Sequence, residues 1–242
     1  MHHLRRSLLW LTFFSIAMGF LESAVVIYLR ELYYPDGFRF PLVLMPHKMA
    51  LTELIREAAT LIMLGSIGIL AGRNKAQRFS FFIYSFAVWD LFYYVFLKLI
   101  LDWPESFFTW DILFLIPVPW VGPVIAPCIV SFSMIILTMI IIIAAEKEQH
   151  VRVNLSQWLL LIAGAFIIIF SFIWDYLRYM NGRYVIWTPV SEHEMFYEIS
   201  GYIPQSFNWT LFIGGELLIL TSIISIFLSI HKTKQKKLPV AI

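Results

Sequence analysis

The chain has 242 residues, of which 60% are hydrophobic and 14% are charged, and its formal net charge is +2. Its mean hydropathy of +0.78 lies above that of a soluble domain, whose surface must face water. This composition excludes an ordinary soluble globular protein and indicates that lipid is the solvent. The single cysteine, Cys128, excludes an internal disulfide and a thiolate metal site.

Six apolar stretches are long enough to cross a bilayer as helices, which need about 20 residues each. Helices are the expected form because lipid offers no hydrogen-bonding partner to backbone groups, and the sequence lacks the short alternating strands of a membrane barrel. The connections are too short to form a separate soluble domain. We therefore expect one all-α transmembrane domain over residues 1–242, with spans at about 8–29, 51–72, 79–101, 120–145, 156–177 and 207–230.

The distribution of Lys and Arg predicts the orientation, because cytoplasmic connections are enriched in these residues. We expect the first stretch to be retained as a span, since Glu22 stands where a signal-peptide cleavage site needs a small residue. With the N-terminus inside, the inner connections and tails hold most of the basic residues. These are Arg5, Arg6, Arg73, Lys75, Arg78, Lys147, Arg152, Lys232, Lys234, Lys236 and Lys237. We expect both termini in the cytoplasm and residence in the plasma membrane.

The segment 102–123 contains four prolines and cannot form one straight helix. Irregular backbone at membrane depth is tolerated only where it is buried in protein or lines a wet cavity. We expect a short interfacial helix, followed by a proline-broken or re-entrant segment near 104–123 that lines a cavity. Trp120 is expected to turn into that cavity.

Ionisable residues occur at helical spacing in five of the six predicted spans. Each costs about 2.5–3.5 kcal/mol at the membrane centre, so such residues usually face the bundle interior. They all fall in the outer halves of their helices, and one polar chamber that opens outward is the simplest arrangement. We predict acid–base roles for Glu22, Glu57, Asp90, Glu216 and Arg56. We predict substrate-binding roles for Arg30, Glu53, Tyr94, Lys98, Trp120, Asp175, Arg178 and Asn208.

A divalent metal is an alternative for the same chamber. His47 and His193 are the histidines expected on the outer side, and His193 is followed by Glu194. The paired spacings of metal-binding helices, H-x-x-x-H and E-x-x-H, do not occur, so these three residues are isolated candidates. Haem between helices is not expected, because no histidine lies within a predicted span.

Three classes of function fit these observations. The first is a membrane-embedded enzyme that acts by acid–base chemistry on a lipid or lipid-soluble substrate, which the one-sided polarity favours. The second is a small proton- or ion-coupled transporter, which would need a polar path through the apolar inner halves. The third is a non-catalytic subunit or assembly factor whose charges are structural. Membrane lipid is the expected partner in every case, and nucleic acid is not expected, since the basic C-terminal run is typical of a membrane anchor.

Overall fold

Six long helices and one short β-hairpin make up this computed structural model, which describes residues 2–146, 153–181 and 200–236. All six helices are long and apolar enough to cross a membrane, which confirms the predicted helical membrane protein with six spans. The helices are α1 (His2–Tyr33), α2 (His47–Ala71), α3 (Lys75–Leu101), α4 (Ile125–Glu146), α5 (Leu155–Asn181) and α6 (Trp209–Lys236). The strands are β1 (Trp110–Phe114) and β2 (Trp120–Pro123).

The segment between α3 and α4 is an antiparallel hairpin, in which Trp110 pairs with Pro123 and Ile112 with Val121. The expected short interfacial helix is wrong, because no residue from 102 to 124 is helical. The fourth helix consequently begins at Ile125 and not at 120. The prolines are compatible with this structure, since Pro117 and Pro119 lie in the turn, Pro123 ends β2 and Pro104 precedes β1, where no ladder donor is required. Re-entry of the segment into a bilayer stays a prediction.

Helix α3 is the centre of the bundle and packs against α1, α2 and α4. Helices α5 and α6 form a second unit, which reaches the rest through contacts of α6 with α4 and of α5 with β2. Their backbones meet at two glycines. A Cβ atom on Gly164 would lie 2.8 Å from the carbonyl oxygen of Gly215, and a Cβ on Gly215 would lie 2.8 Å from that of Gly164. Close approach at small residues is typical of helix pairs in membranes.

The two ends of the bundle differ in what fills them. The hairpin end, where α1, α3 and α5 finish, contains the buried charges described below. The far end is built mainly around two apolar clusters, one between α4, α5 and α6 and one between α1, α3 and α4. Their buried members are Leu137, Ile141, Leu161, Ile223 and Ile226, and Leu11, Phe81 and Ile142.

Candidate functional site

A cavity of about 130 Å³ lies at the hairpin end between α1, α2, α3 and β1. We call it the charged cavity, because seven ionisable side chains line it in addition to tyrosines and apolar residues. Carboxyl groups outnumber guanidinium groups in this lining. The carboxyl groups belong to Glu22, Glu53, Glu57, Asp90 and Asp111, and the guanidinium groups to Arg30 and Arg56.

Arg56 joins α2 to α1 across the charged cavity. Its guanidinium donates hydrogen bonds to Glu22 on α1 and to Glu53 one turn earlier on α2, with 3.0 Å between Nε and Glu53 Oε2. Thr60, one turn further along α2, donates to Glu22 Oε2 at 3.4 Å. Spacings of three and four residues place these α2 side chains on one helix face. Glu22 and Glu53 are therefore both occupied by the same arginine.

Glu57 connects α2 to the hairpin. Both of its carboxyl oxygens accept from the backbone N–H of Leu115, at 3.1 and 3.0 Å, and Leu115 directly follows β1. Among the described residues, no basic side chain forms an ion pair with Glu57. This carboxyl is buried, faces the charged cavity and positions the tip of the hairpin.

Asp90 lies on α3, where it accepts a hydrogen bond of 2.7 Å from the hydroxyl of Ser131 on α4. It too is buried and has no ion-pair partner within the described part of the chain. Asp90 also lines a second cavity of about 300 Å³ between α3, α4 and α5. We call this cavity the apolar groove, because its walls are mostly aromatic and aliphatic. They include Phe86, Phe114, Met134, Ile168 and Phe172.

Arg30 and Asp111 form the other end of the charged cavity. Arg30 Nη2 lies 3.4 Å from Asp111 Oδ1, and the hydroxyl of Tyr93 donates to Asp111 Oδ2 at 3.4 Å. The Arg30 Cζ lies 3.8 Å from the ring centroid of Trp103 and 4.5 Å from that of Phe38. Burial raises the pKa of the Asp111 carboxyl above its usual range, and the charge of Arg30 opposes this rise.

Asp111 was not among the residues singled out from the sequence, because it lies outside the predicted spans. One signal was present. It is a lone acid in an otherwise apolar run, Trp110–Phe114, and Arg30 on the first span needed an acidic partner. Arg30, Glu53 and Tyr94, which were predicted to bind substrate, do line the charged cavity. Their roles there stay predictions.

The sequence predicted that four acids line one chamber, and this prediction is wrong for Glu216. Glu22, Glu57 and Asp90 line the charged cavity. Glu216 lies on α6, where it accepts a hydrogen bond of 2.9 Å from the hydroxyl of Ser133 on α4, and it lines neither cavity. The physical reason is that α6 packs on α5 and α4, away from α1 and α2. Helical periodicity identifies the polar face of a helix but not the neighbour that this face meets.

Trp120 and Asp175 also lie outside the charged cavity. Trp120 lines the apolar groove, with its ring centroid 5.3 Å from that of Phe114. Asp175 fixes the segment before α6. It accepts from the hydroxyl of Tyr202 at 2.8 Å and from the backbone N–H groups of Gln205 and Ser206 at 2.9 and 3.3 Å.

Three further candidates lie at helix ends and line neither cavity. Lys98 is exposed, pairs with Asp102 at 2.7 Å and donates to backbone carbonyl groups beyond α3. Asn208 caps α6 by accepting from the N–H of Leu211 at 3.1 Å. Arg178 is exposed near the end of α5. All three residues lie at the ends of helices, and the expected contact with the chamber is not observed.

Only one of the three metal candidates, His47, lies among the described residues. His47 is exposed at the start of α2, and His193 and Glu194 lie outside the described ranges. Over residues 2–146, 153–181 and 200–236, no group of three or more His, Cys, Asp and Glu side chains is arranged to hold a metal ion. A divalent metal stays a prediction.

Comparisons of this chain with protein-family models, with curated proteins and with solved structures find no match. The function therefore has to be inferred from the geometry of the two cavities.

Proposed function

We propose that this protein is a membrane-embedded enzyme that performs acid–base chemistry on an amphiphilic, lipid-soluble substrate. The observation that carries the proposal is the position of Asp90, a buried acid that belongs to the lining of both the charged cavity and the apolar groove. An amphiphile can place an acyl or isoprenoid chain in the groove and its polar end beside Asp90. Sites of this kind, mostly apolar with a few convergent polar groups, are typical of small-molecule binding.

Asp90 and Glu57 are the groups that we assign to proton transfer. Arg56 engages Glu22 and Glu53, and Arg30 engages Asp111, so these acids are held in ion pairs. Asp90 and Glu57 are instead oriented by single neutral donors, Ser131 and the Leu115 N–H. A carboxyl that is positioned but not ion-paired can give a proton to a bound substrate or take one from it.

The far end of the bundle favours an enzyme over a transporter. A solute that crosses the protein needs a polar path through both halves, but the buried core of the described far end is mainly apolar. The buried Gln157 and Ser222 there are hydrogen-bonded between α5 and α6. A non-catalytic role, in which the charges only hold the helices together, would favour complete pairing of the acids. Asp90, Glu57 and Glu216 all depart from that pattern. Of these three, Asp90 and Glu57 also line the charged cavity, which supports the catalytic proposal.

We also propose that the hairpin end faces away from the cytoplasm, with both termini on the cytoplasmic side of the plasma membrane. The concentration of Lys and Arg in the tails and the connections at the far end supports this orientation. The substrate would then enter from the leaflet opposite the cytoplasm.

The proposal is tested by conversion of a lipid. Purified protein in nanodiscs made from a total lipid extract of the producing cells is incubated and the lipids are compared by mass spectrometry over time. We expect at least one lipid species to be consumed by the wild type, and this rate to fall by about 100-fold or more in Glu57→Gln and Asp90→Asn. Glu216→Gln is the matched control, because that buried carboxyl lines neither cavity. Identical lipid profiles for wild type and both variants would contradict the enzyme proposal.

A further inference from the structure

Arg30 has a hydrogen-bond donor that the described protein does not satisfy. Its side chain is 9% exposed and lines the charged cavity. Nη1 is buried, and no described residue accepts a hydrogen bond from it. An unsatisfied buried donor costs about 1–3 kcal/mol, and more when the group is charged. An acceptor placed at Nη1 would remove this cost.

The surroundings of Arg30 indicate what kind of group could approach. The Trp103 and Phe38 rings lie against the guanidinium, and Asp111 accepts from Nη2. Nη1 is left without an acceptor among the described residues. Guanidinium groups bind carboxylates and phosphates through charge-assisted hydrogen bonds, which are about twice as strong as neutral ones.

We propose that the charged cavity binds an anionic oxygen group of the substrate, a phosphate or a carboxylate, and that Arg30 is its anchor. This inference rests on the proposed function and specifies the substrate class of the same site. The group belongs either to the headgroup of a lipid or to a small soluble anion, and the chemistry at Arg30 is the same for both.

The charge of the cavity determines where the anionic group lies. The lining contains more acids than bases, so an anion placed next to Glu57 or Glu53 would be repelled. Arg30 and Glu22 are eight residues apart on α1, which corresponds to about 12 Å along the helix. The anionic group therefore lies at the Arg30 end, and an uncharged or cationic reacting group lies near Glu57 and Asp90.

The binding test uses the full chain in nanodiscs of phosphatidylcholine that contain a minor fraction of phosphatidylglycerol. Native mass spectrometry measures how strongly phosphatidylglycerol is enriched among the lipids that stay bound to the protein. We expect the enrichment to fall by about tenfold or more in Arg30→Gln and by less in Arg30→Lys, which keeps the charge but loses the forked donor geometry. Arg39→Gln, at an exposed arginine that lines neither cavity, should keep the wild-type enrichment.

A second variant separates loss of binding from loss of folding. Arg30→Gln leaves Asp111 without its partner, whereas the double variant Arg30→Gln/Asp111→Asn replaces the pair by two neutral side chains that can still bond to each other. The double variant should unfold at a temperature close to that of the wild type and should also lose the enrichment. Wild-type enrichment in the double variant would overturn the proposal, as would the absence of any enrichment in the wild type.

Competition identifies the source of the anion. If millimolar glycerol phosphate or inorganic phosphate displaces phosphatidylglycerol from the wild type, a soluble anion fits the site. If it does not, the headgroup of a lipid is the ligand. Both results support the anchor, provided that the effect requires Arg30. Enrichment that persists without Arg30, together with lipid conversion that requires Asp90, would overturn the anchor alone. Arg30-dependent enrichment without any conversion would overturn only the proposed function.

Discussion

The buried carboxyl groups of this bundle differ in their hydrogen-bond partners, and the partners limit what each carboxyl can do. Asp175 accepts from three donors in residues 202–206, so its oxygens are largely occupied. Asp90 has one serine donor and faces two cavities. Two acids of the same type therefore differ in role, one fixing a chain segment and the other available to a ligand.

Replacing Asp175 should reduce stability without acting on the substrate. In Asp175→Asn the amide NH₂ cannot accept a hydrogen bond, so one of the Tyr202, Gln205 or Ser206 donors is left unsatisfied. We expect a loss of about 1–3 kcal/mol in the free energy of unfolding, measured by denaturation in detergent micelles. Asp36→Asn, at an exposed acid, is the control and should stay within about 0.5 kcal/mol of the wild type. Equal losses in the two variants would show that Asp175 does not fix this segment.

Two substitutions of Glu57 separate its structural contact from its proposed chemistry. Glu57→Gln keeps a side-chain oxygen that can accept from the Leu115 N–H, whereas Glu57→Ala removes the acceptor. We expect Glu57→Ala to be less stable than Glu57→Gln by about 1–2 kcal/mol and to exchange the Leu115 amide hydrogen faster, while both variants lose lipid conversion. Hydrogen exchange with mass spectrometry measures the exchange of this amide. Equal exchange in the two variants would show that Glu57 does not hold the hairpin tip.

Helices α5 and α6 pack through their backbones, and two adjacent glycines provide a matched test. A Cβ atom on Gly215 would lie 2.8 Å from the Gly164 carbonyl oxygen, whereas a Cβ on Gly214 would meet nothing within 4 Å. We expect Gly215→Ala to lower the free energy of unfolding by about 1–3 kcal/mol, because the helices must separate. Gly214→Ala should leave stability unchanged or raise it by up to about 1 kcal/mol, because alanine is the better helix former. Similar results for the two variants would contradict the close crossing.

Among the elements, helices were easier to predict than the hairpin. A long continuous apolar run must form its backbone hydrogen bonds within itself in lipid, which a helix does, so each span is recognisable from its own residues. Residues 104–123 have prolines that exclude a helix but do not specify what replaces it. The two strands are neighbours along the chain, but the hairpin is held by contacts with distant residues, such as that of Leu115 with Glu57. Asp111 was missed because it lies outside the predicted spans, and its partner Arg30 is far away along the chain.

At the scale of the whole molecule, periodicity predicted which face of each helix is polar, but not which helices share a cavity. Glu22, Glu57 and Asp90 meet because α1 and α2 both pack on α3. Glu216 has the same kind of helical position and yet lies apart, because α6 packs on α5 and α4. Six helices permit many arrangements with the same set of polar faces, and tertiary packing selects one of them.

The orientation of the whole chain gives a prediction that needs no substrate. In a Cys128→Ser background, single cysteines are placed at Asp36 near the hairpin end and at Arg73 near the far end, both exposed. We expect a membrane-impermeant maleimide to label Asp36→Cys in intact cells and to label Arg73→Cys after the cells are opened. The reverse pattern would place the hairpin end in the cytoplasm.

If the proposed function holds, the presence of Asp90 in the lining of both cavities also has a kinetic consequence. A substrate that enters through the apolar groove moves from the bilayer to the reacting groups without dissolving in water. Its effective concentration is then its mole fraction among the surrounding lipids, and the bulk amount in the sample does not enter the rate law. Dilution of the substrate with inert lipid should slow turnover, whereas dilution of the whole suspension with buffer should leave turnover per protein molecule unchanged.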